Sequence, residues 1–226
     1  MSQNSVLPVL GKTEKMTTIK NNLFSRSNAK KLHYFSGLTL SVFIAFHLFN
    51  QLYSLAGPAA HIEMMETFRK LYRHPVLETL LMVAVSFQLI TGISMLFNKR
   101  KKNRIEKLQI YSGLYLSYFL LAHVAAVLYG RYLQLDTNFN FAAAGLNDDP
   151  AMLYFIPYYF FAVLAIFLHV AAIHYLKTGS ALGAWVIGSI GVLVATGIII
   201  GYTDSFHFRK VPAEYLQFVR AFFGGS

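Results

Sequence analysis

The residues here best suited to chemistry are histidines set in apolar sequence. "KLHYFSGLTLSVFIAFH" over Lys31–His47 returns as "KLQIYSGLYLSYFLLAH" over Lys107–His123, with nine of seventeen positions identical and His47 and His123 closing the two copies. His33 in the first copy becomes Gln109 in the second. A further stretch, "FLHVAAIH", carries His169 and His174. A histidine at membrane depth costs free energy unless it faces a polar cavity, a partner or a metal, so these side chains need an explanation. His61, His74 and His207 fall in polar connections instead and read as solvated or headgroup-facing.

Helical periodicity decides which histidines cooperate. At 3.6 residues per turn, His33, Ser36, Leu40, Phe43 and His47 share one stripe, and Ser112, Leu116, Phe119 and His123 share its equivalent. His47 and His123 each stand about 21 Å above the inner end of their helices at 1.5 Å per residue, so they lie at one depth. If both stripes face a common axis, the imidazoles meet across it and can serve as axial ligands of one flat metalloporphyrin, with Ser36, Gly37, Ser112 and Gly113 small enough to admit it. The alternative is that they hydrogen-bond between helices. His33 with His169 is the candidate pair for a second haem, offset inward. The corresponding alternative leaves His33 and His174 at the interface and His169 bonded to Gln88. His169 and His174 are five residues apart and cannot face one ligand plane. Arg69, Arg73 and Arg131 fall near the outer end of the first site, where they would pair with propionates or with lipid headgroups. Glu78 is expected to snorkel or pair with Arg73.

The elements that must position these groups are membrane spans. The 226-residue chain is 55% hydrophobic and 13% charged, with mean hydropathy +0.46, too apolar for a soluble domain of this size. Five segments are long enough to cross the bilayer as helices: residues 32–55, 75–97, 108–129, 153–176 and 182–202. No cleavable signal is apparent in the polar, basic first thirty residues. The absence of cysteine excludes disulfides and thiolate-held metals or clusters in this chain. Of its 20 basic residues, 13 fall before the first span, between spans two and three, or after span four, with only Glu14 and Glu106 beside them. That asymmetry puts the N-terminus inside and the C-terminus outside, as expected for the inner membrane of a bacterium. The net charge of +10 is thus a topology signal, and nucleic acid is not an expected partner.

The expected architecture is all-α: a basic tail (residues 1–30), a five-helix transmembrane bundle (31–204) and an outer C-terminal segment (205–226). Spans one and two form a hairpin that spans three and four repeat, with Gln88 and His169 at equivalent places, and span five is added at the edge. Outside, "AAHIEMMETFRKLYRHP" reads as a short surface helix with Ile62, Met65, Phe68 and Tyr72 on its apolar side. The connection "RYLQLDTNFNFAAAGLNDDP" reads as an ordered loop with turns, and "GIIIG" in span five as a close-packing motif.

"LHYFSGLTLSVFIAFHLFN" resembles the first membrane helix of the cytochrome b anchor subunits of succinate dehydrogenases and fumarate reductases, and "FLHVAAIH" is similar to a haem-ligand segment of that family. Tyr34 stands where the family usually has arginine. A comparable likeness links the repeated hairpins to Mcp1-type transmembrane proteins. The first resemblance implies a b-type cytochrome with one haem b, and room for a second. It makes His47, His123 and His169 ligands and sets His33 and Ser36 near an inner haem or a quinone. The chain has no flavin, nicotinamide or iron–sulfur motif, so dehydrogenase chemistry would need soluble flavoprotein and iron–sulfur subunits on the basic inner face. The second resemblance implies a structural or lipid-interacting protein. A proton-relaying transporter is a third class, disfavoured because no carboxylate but Glu78 enters a span.

Overall fold

The computed structural model describes residues 26–96 and 102–223. Most of the basic tail, with Lys99, Arg100 and Lys101 of the inner connection, lies outside the described residues. Helix α1 (Arg26–Leu52) leads from the end of the bundle that holds Arg26, termed inner after the charge asymmetry, to the opposite end, termed outer, and closes in a 3-10 turn (Tyr53–Ala56). Gly57, at φ 99°, redirects the chain into α2 (Pro58–Tyr72), a conformation that side chains with a Cβ resist. Helix α3 (Pro75–Leu96) returns inward with a proline at its start, where the missing N–H is no loss. Helix α4 (Arg104–Tyr132) begins at a capping box: Asn103 Oδ1 accepts from the Glu106 amide at 2.8 Å, and Glu106 accepts from the Asn103 amide at 2.9 Å. Then follow α5 (Phe139–Asn147), α6 (Met152–Thr178), α7 (Ala181–Thr203) and α8 (Ala213–Phe223).

Helices α1, α3, α4, α6 and α7 are long and apolar enough to cross a bilayer, so the protein is an all-α integral membrane protein with the five expected spans. Helix α1 packs along α3, α4 along α6, and α7 along α6. Contact between the two hairpins is sparse by comparison. Small residues set the tight seams. A Cβ on Gly191 would stand 2.4 Å from Phe167, and one on Gly201 would stand 2.2 Å from Ser54 Oγ and 2.6 Å from the Leu55 amide nitrogen. The "GIIIG" glycines therefore dock α7 onto the end of α1, as close-packing glycines do in membranes.

The larger buried core is not on the bundle axis. It lies near the outer surface, where Phe139, Ala143 and Leu146 of α5 pack on Val163 of α6 and on Ile198 and Tyr202 of α7. The connection expected to be a loop thus contains a buried helix, and the C-terminal segment contains α8, whose Tyr215 and Val219 cover Ala144 and Ala151. Arg220 of α8 reaches Asp148, buried beneath it, at 2.7 Å.

The Gly201 seam yields a measurable outcome. Gly201→Ala should destabilise the protein in detergent by about 1–3 kcal/mol, the usual cost of overpacking. Gly188→Ala, whose added Cβ would meet nothing nearer than Leu168 at 3.9 Å, should stay within about 1 kcal/mol of wild type. Thermal unfolding of the two variants side by side checks this.

Candidate functional site

The two repeated stripes do face inward. Ser36, Leu40 and Ser112 are buried, and the imidazoles at the outer ends of the stripes meet across the gap between hairpins. The ring centres of His47 and His123 are 6.2 Å apart with planes at 64°. Each ring stacks on the phenylalanine one turn earlier: Phe43 with His47 at 5.6 Å and Phe119 with His123 at 5.2 Å. The Phe-x-x-x-His spacing of both copies produces this, because residues i and i+4 share a helix face. The two histidines differ in their other partners. Gln51 Nε2 stands 3.3 Å from His47 Nε2, at the long end for a hydrogen bond. No described residue hydrogen-bonds either nitrogen of His123.

Gln51 joins His47 to a buried polar cluster. Its amide oxygen accepts the hydroxyl proton of Tyr202 from α7. His61 Nε2 lies 3.0 Å from that tyrosine oxygen, 3.2 Å from Gln51 Oε1 and 3.2 Å from the Asn50 amide nitrogen. Since the Tyr202 proton goes to Gln51, the tyrosine oxygen is left to accept from His61 Nε2–H. His61 is only 2% exposed, so the expectation of a solvated histidine is overturned. It sits on α2 with Met65 and Arg69, so the buried face takes in Met65 of the apolar side read from the sequence but extends to two polar residues beside it. Phe68 and Tyr72 instead flank α1 beside Phe46 and Phe43. The sequence did hold a signal for this cluster: Asn50 and Gln51 interrupt the apolar run directly after His47, where a polar pair needs partners.

The outer arginines have protein partners. Arg69, mostly buried, stands 2.7 Å from Asp136 and 2.7 Å from Glu66. Burial opposes its charge, but the two carboxylates outweigh that and raise its pKa. Arg131 pairs with Glu78, and Arg73 donates to Thr137 at 3.1 Å. The expected Arg73–Glu78 pair is therefore replaced by Arg131–Glu78, and Arg69 and Arg131 hold carboxylates of the chain itself. The Arg69–Asp136 and Arg131–Glu78 pairs each tie the first hairpin to the second, which matters because the hairpins touch so little elsewhere.

On the inner side the repeat exchanges partners. His33 Nδ1 lies 3.1 Å from Thr91 Oγ1, and its Nε2 lies 3.2 Å from Gln88 Nε2. Ser36 donates to Gln88 Oε1 at 2.7 Å. Thr91 gives its proton to the Phe87 carbonyl, so Nδ1–H of His33 donates to Thr91 and Nε2 accepts from Gln88. In the second hairpin, His169 Nδ1 donates to the Gln109 carbonyl at 2.9 Å and lies 3.2 Å from Ser112 Oγ. Each hairpin thus has one histidine and one glutamine at this level, on opposite arms. The expected His169–Gln88 bond does not form. A Cβ on Gly37 would meet Gln88 at 3.3 Å, and one on Gly113 would meet His169 at 3.2 Å. These glycines make room for a neighbouring side chain, not for a macrocycle. His174 turns away from His169 and lies against Gly183 of α7.

These positions allow a test of which histidines suit a metalloporphyrin. A metal–imidazole bond is about 2.0 Å, so two imidazoles on one ion have centres roughly 6 Å apart. The outer pair matches that spacing, and His123 lacks the protein partner that hydrocarbon burial calls for. The inner pair fits less well. His33 and His169 each bond within their own hairpin, and both His33 nitrogens are engaged. Among the described residues, no group of three or more His, Cys, Asp or Glu side chains could hold a metal ion; an axial pair needs only two. No protein-family model, curated protein or solved structure matches the chain. Fold and site together define a five-span membrane protein built on a repeated hairpin, with one imidazole from each repeat facing the other.

The His61 cluster predicts a pH dependence. Burial, with the nearby Arg69 charge, pushes His61 down to about 4, whereas in the unfolded chain it titrates near 6.5. Above pH ~6.5 both states are neutral there. Below it, the unfolded chain binds a proton that the fold refuses, so His61 lowers stability progressively from pH ~6.5 to ~4, by up to about 3 kcal/mol. Unfolding in detergent at pH 7 and pH 4.5, wild type against His61→Gln, should show a steeper acid loss for wild type. Equal losses would contradict the assignment.

Proposed function

We propose that this chain is a membrane-bound b-type cytochrome in which His47 and His123 are the axial ligands of one haem b. The observation that carries the reading is the 6.2 Å approach of two repeat-related imidazoles from hairpins that touch each other sparingly. The repeat supplies one ligand from each hairpin at the same depth. Phe43 and Phe119 brace the rings from the inner side. The Arg69–Asp136 and Arg131–Glu78 pairs close the outer side and hold the spacing. A bound haem supplies one-electron redox chemistry, and the protein tunes it through ligand identity and burial. The 3.3 Å Gln51 contact at His47 Nε2 is weak enough for a metal bond at that nitrogen to replace it, leaving Gln51 on Tyr202 and His61.

By its resemblance to the cytochrome b anchors, the chain exchanges electrons with a quinone and with soluble flavoprotein and iron–sulfur subunits docked on the basic inner face. It does so in a bacterial inner membrane, with the N-terminus inside. One haem is favoured over two, because His33 is fully engaged with Gln88 and Thr91. The rival reading is a haem-free membrane protein whose histidines bond helices together. It draws on the inner level, where His33 and His169 do that within their own hairpins.

The test is a reduced-minus-oxidised visible spectrum of the protein expressed with haem available, with haem quantified per chain. The expected result is a sharp α-band at one haem per chain, abolished by His47→Ala or His123→Ala and retained in His33→Ala. A colourless protein, or a band indifferent to both outer substitutions, removes the cytochrome reading.

A further inference from the structure

Hairpin two carries a run of rings that hairpin one lacks. The His123 ring stacks on Phe119 at 5.2 Å, Phe119 lies 4.8 Å from Tyr158, and Tyr158 stacks on Tyr154 at 5.4 Å. The Tyr154 and Tyr118 hydroxyls, on α6 and α4, hydrogen-bond at 2.5 Å. Aligned on the repeat, Val42 and Leu77 stand where hairpin two has Tyr118 and Tyr158. Packing alone therefore does not require phenols there. Tyr118 is 51% and Tyr154 42% exposed, on the helix faces that also show Leu121 and Phe161, which are the lipid-facing sides. A lipid-facing tyrosine ordinarily turns its hydroxyl toward the nearer interface, to water and headgroups. These two turn theirs to each other, at the end of a continuous path of rings from His123.

We propose that the Tyr118–Tyr154 pair donates hydrogen atoms to lipid peroxyl radicals, and that Tyr158, Phe119 and His123 carry the electron that restores it. The second half rests on the haem reading above. In the first step the phenol O–H bond breaks and the O–H bond of a lipid hydroperoxide forms, so the peroxyl radical is reduced and the tyrosine becomes a phenoxyl radical. In the second, Tyr158, Phe119 and His123 pass one electron to that oxygen and a proton drawn from water completes the phenol. A reduced haem held by His47 and His123 would supply that electron and would itself be oxidised by one electron. Tyr158 is the oxidisable ring nearest His123 along this path. Phe119 serves only as a bridge between them, since benzene rings are hard to oxidise.

The experiment places the purified full chain in vesicles of polyunsaturated phosphatidylcholine with a lipid-soluble azo initiator. Phenoxyl radical is read by electron paramagnetic resonance, lipid oxidation by conjugated-diene absorbance and haem oxidation by the α-band. Wild type with oxidised haem should show a phenoxyl signal and a lag in lipid oxidation. With haem reduced beforehand, the signal should shrink, the lag lengthen and the α-band decay. Tyr118→Phe/Tyr154→Phe should bring signal and lag to the level of protein-free vesicles. Tyr158→Phe should keep the signal but slow the α-band decay. A double variant that behaves like wild type overturns the proposal, and an unaffected α-band decay in Tyr158→Phe overturns the electron path. A protein that takes up no haem defeats the cytochrome reading and the restoring step together, while the phenoxyl signal still decides the hydrogen-atom donor.

Discussion

An imidazole in hydrocarbon has two nitrogens that water cannot reach, and each left unpaired costs free energy. That constraint organises the inside of this protein. His33 has used both nitrogens on Thr91 and Gln88. His169 is anchored by the Gln109 carbonyl and Ser112. His47 is held loosely by Gln51. His123 faces His47 with no hydrogen bond from a described residue. Of these four, His123 is thus the least satisfied, and it faces His47 between hairpins that touch each other sparingly. A shared ligand between them would answer that polar cost.

The duplicated hairpin explains the facing pair, and the departures from duplication explain the rest. At the inner level, His33 bonds the Gln88 and Thr91 side chains while His169 bonds the Gln109 main-chain carbonyl beside Ser112, so each hairpin closes a polar contact of its own. At the outer level, Val127 stands where the first copy has Gln51, so only His47 is linked to α2 and α7. Helix α7 has no repeat partner. It docks by Gly201 on the 3-10 turn after α1 and delivers Tyr202 to Gln51. The two inter-hairpin ion pairs and α5, buried on α6 and α7, then stiffen the outer end, where the histidines meet.

Much of this was legible in the sequence. Hydropathy and length gave all five spans, because nothing but a long apolar helix or a closed barrel satisfies its backbone in a bilayer. The repeat, read at 3.6 residues per turn, gave the facing of Ser36, Ser112, His47 and His123. What could not be read was pairing across the bundle. Arg131 rather than Arg73 meets Glu78, and Gln88 bonds His33 rather than His169, because these choices depend on which arms lie side by side. His61 escaped for another reason. A polar residue in a polar connection looks solvated until α5 and α7 are seen to cover it. Helix α5 escaped because "FNFAAAGLN" is short and flanked by turn-forming residues.

The central claim is that His47 and His123 hold one planar group between them. A cryo-electron microscopy map of the full chain, purified from cells supplied with haem, tests it most directly. The map should show a flat density between the hairpins, joined on its two faces to the His47 and His123 side chains, with Phe43 and Phe119 beneath the rings. A gap closed by side chains, or filled by a lipid tail that neither histidine touches, would contradict it.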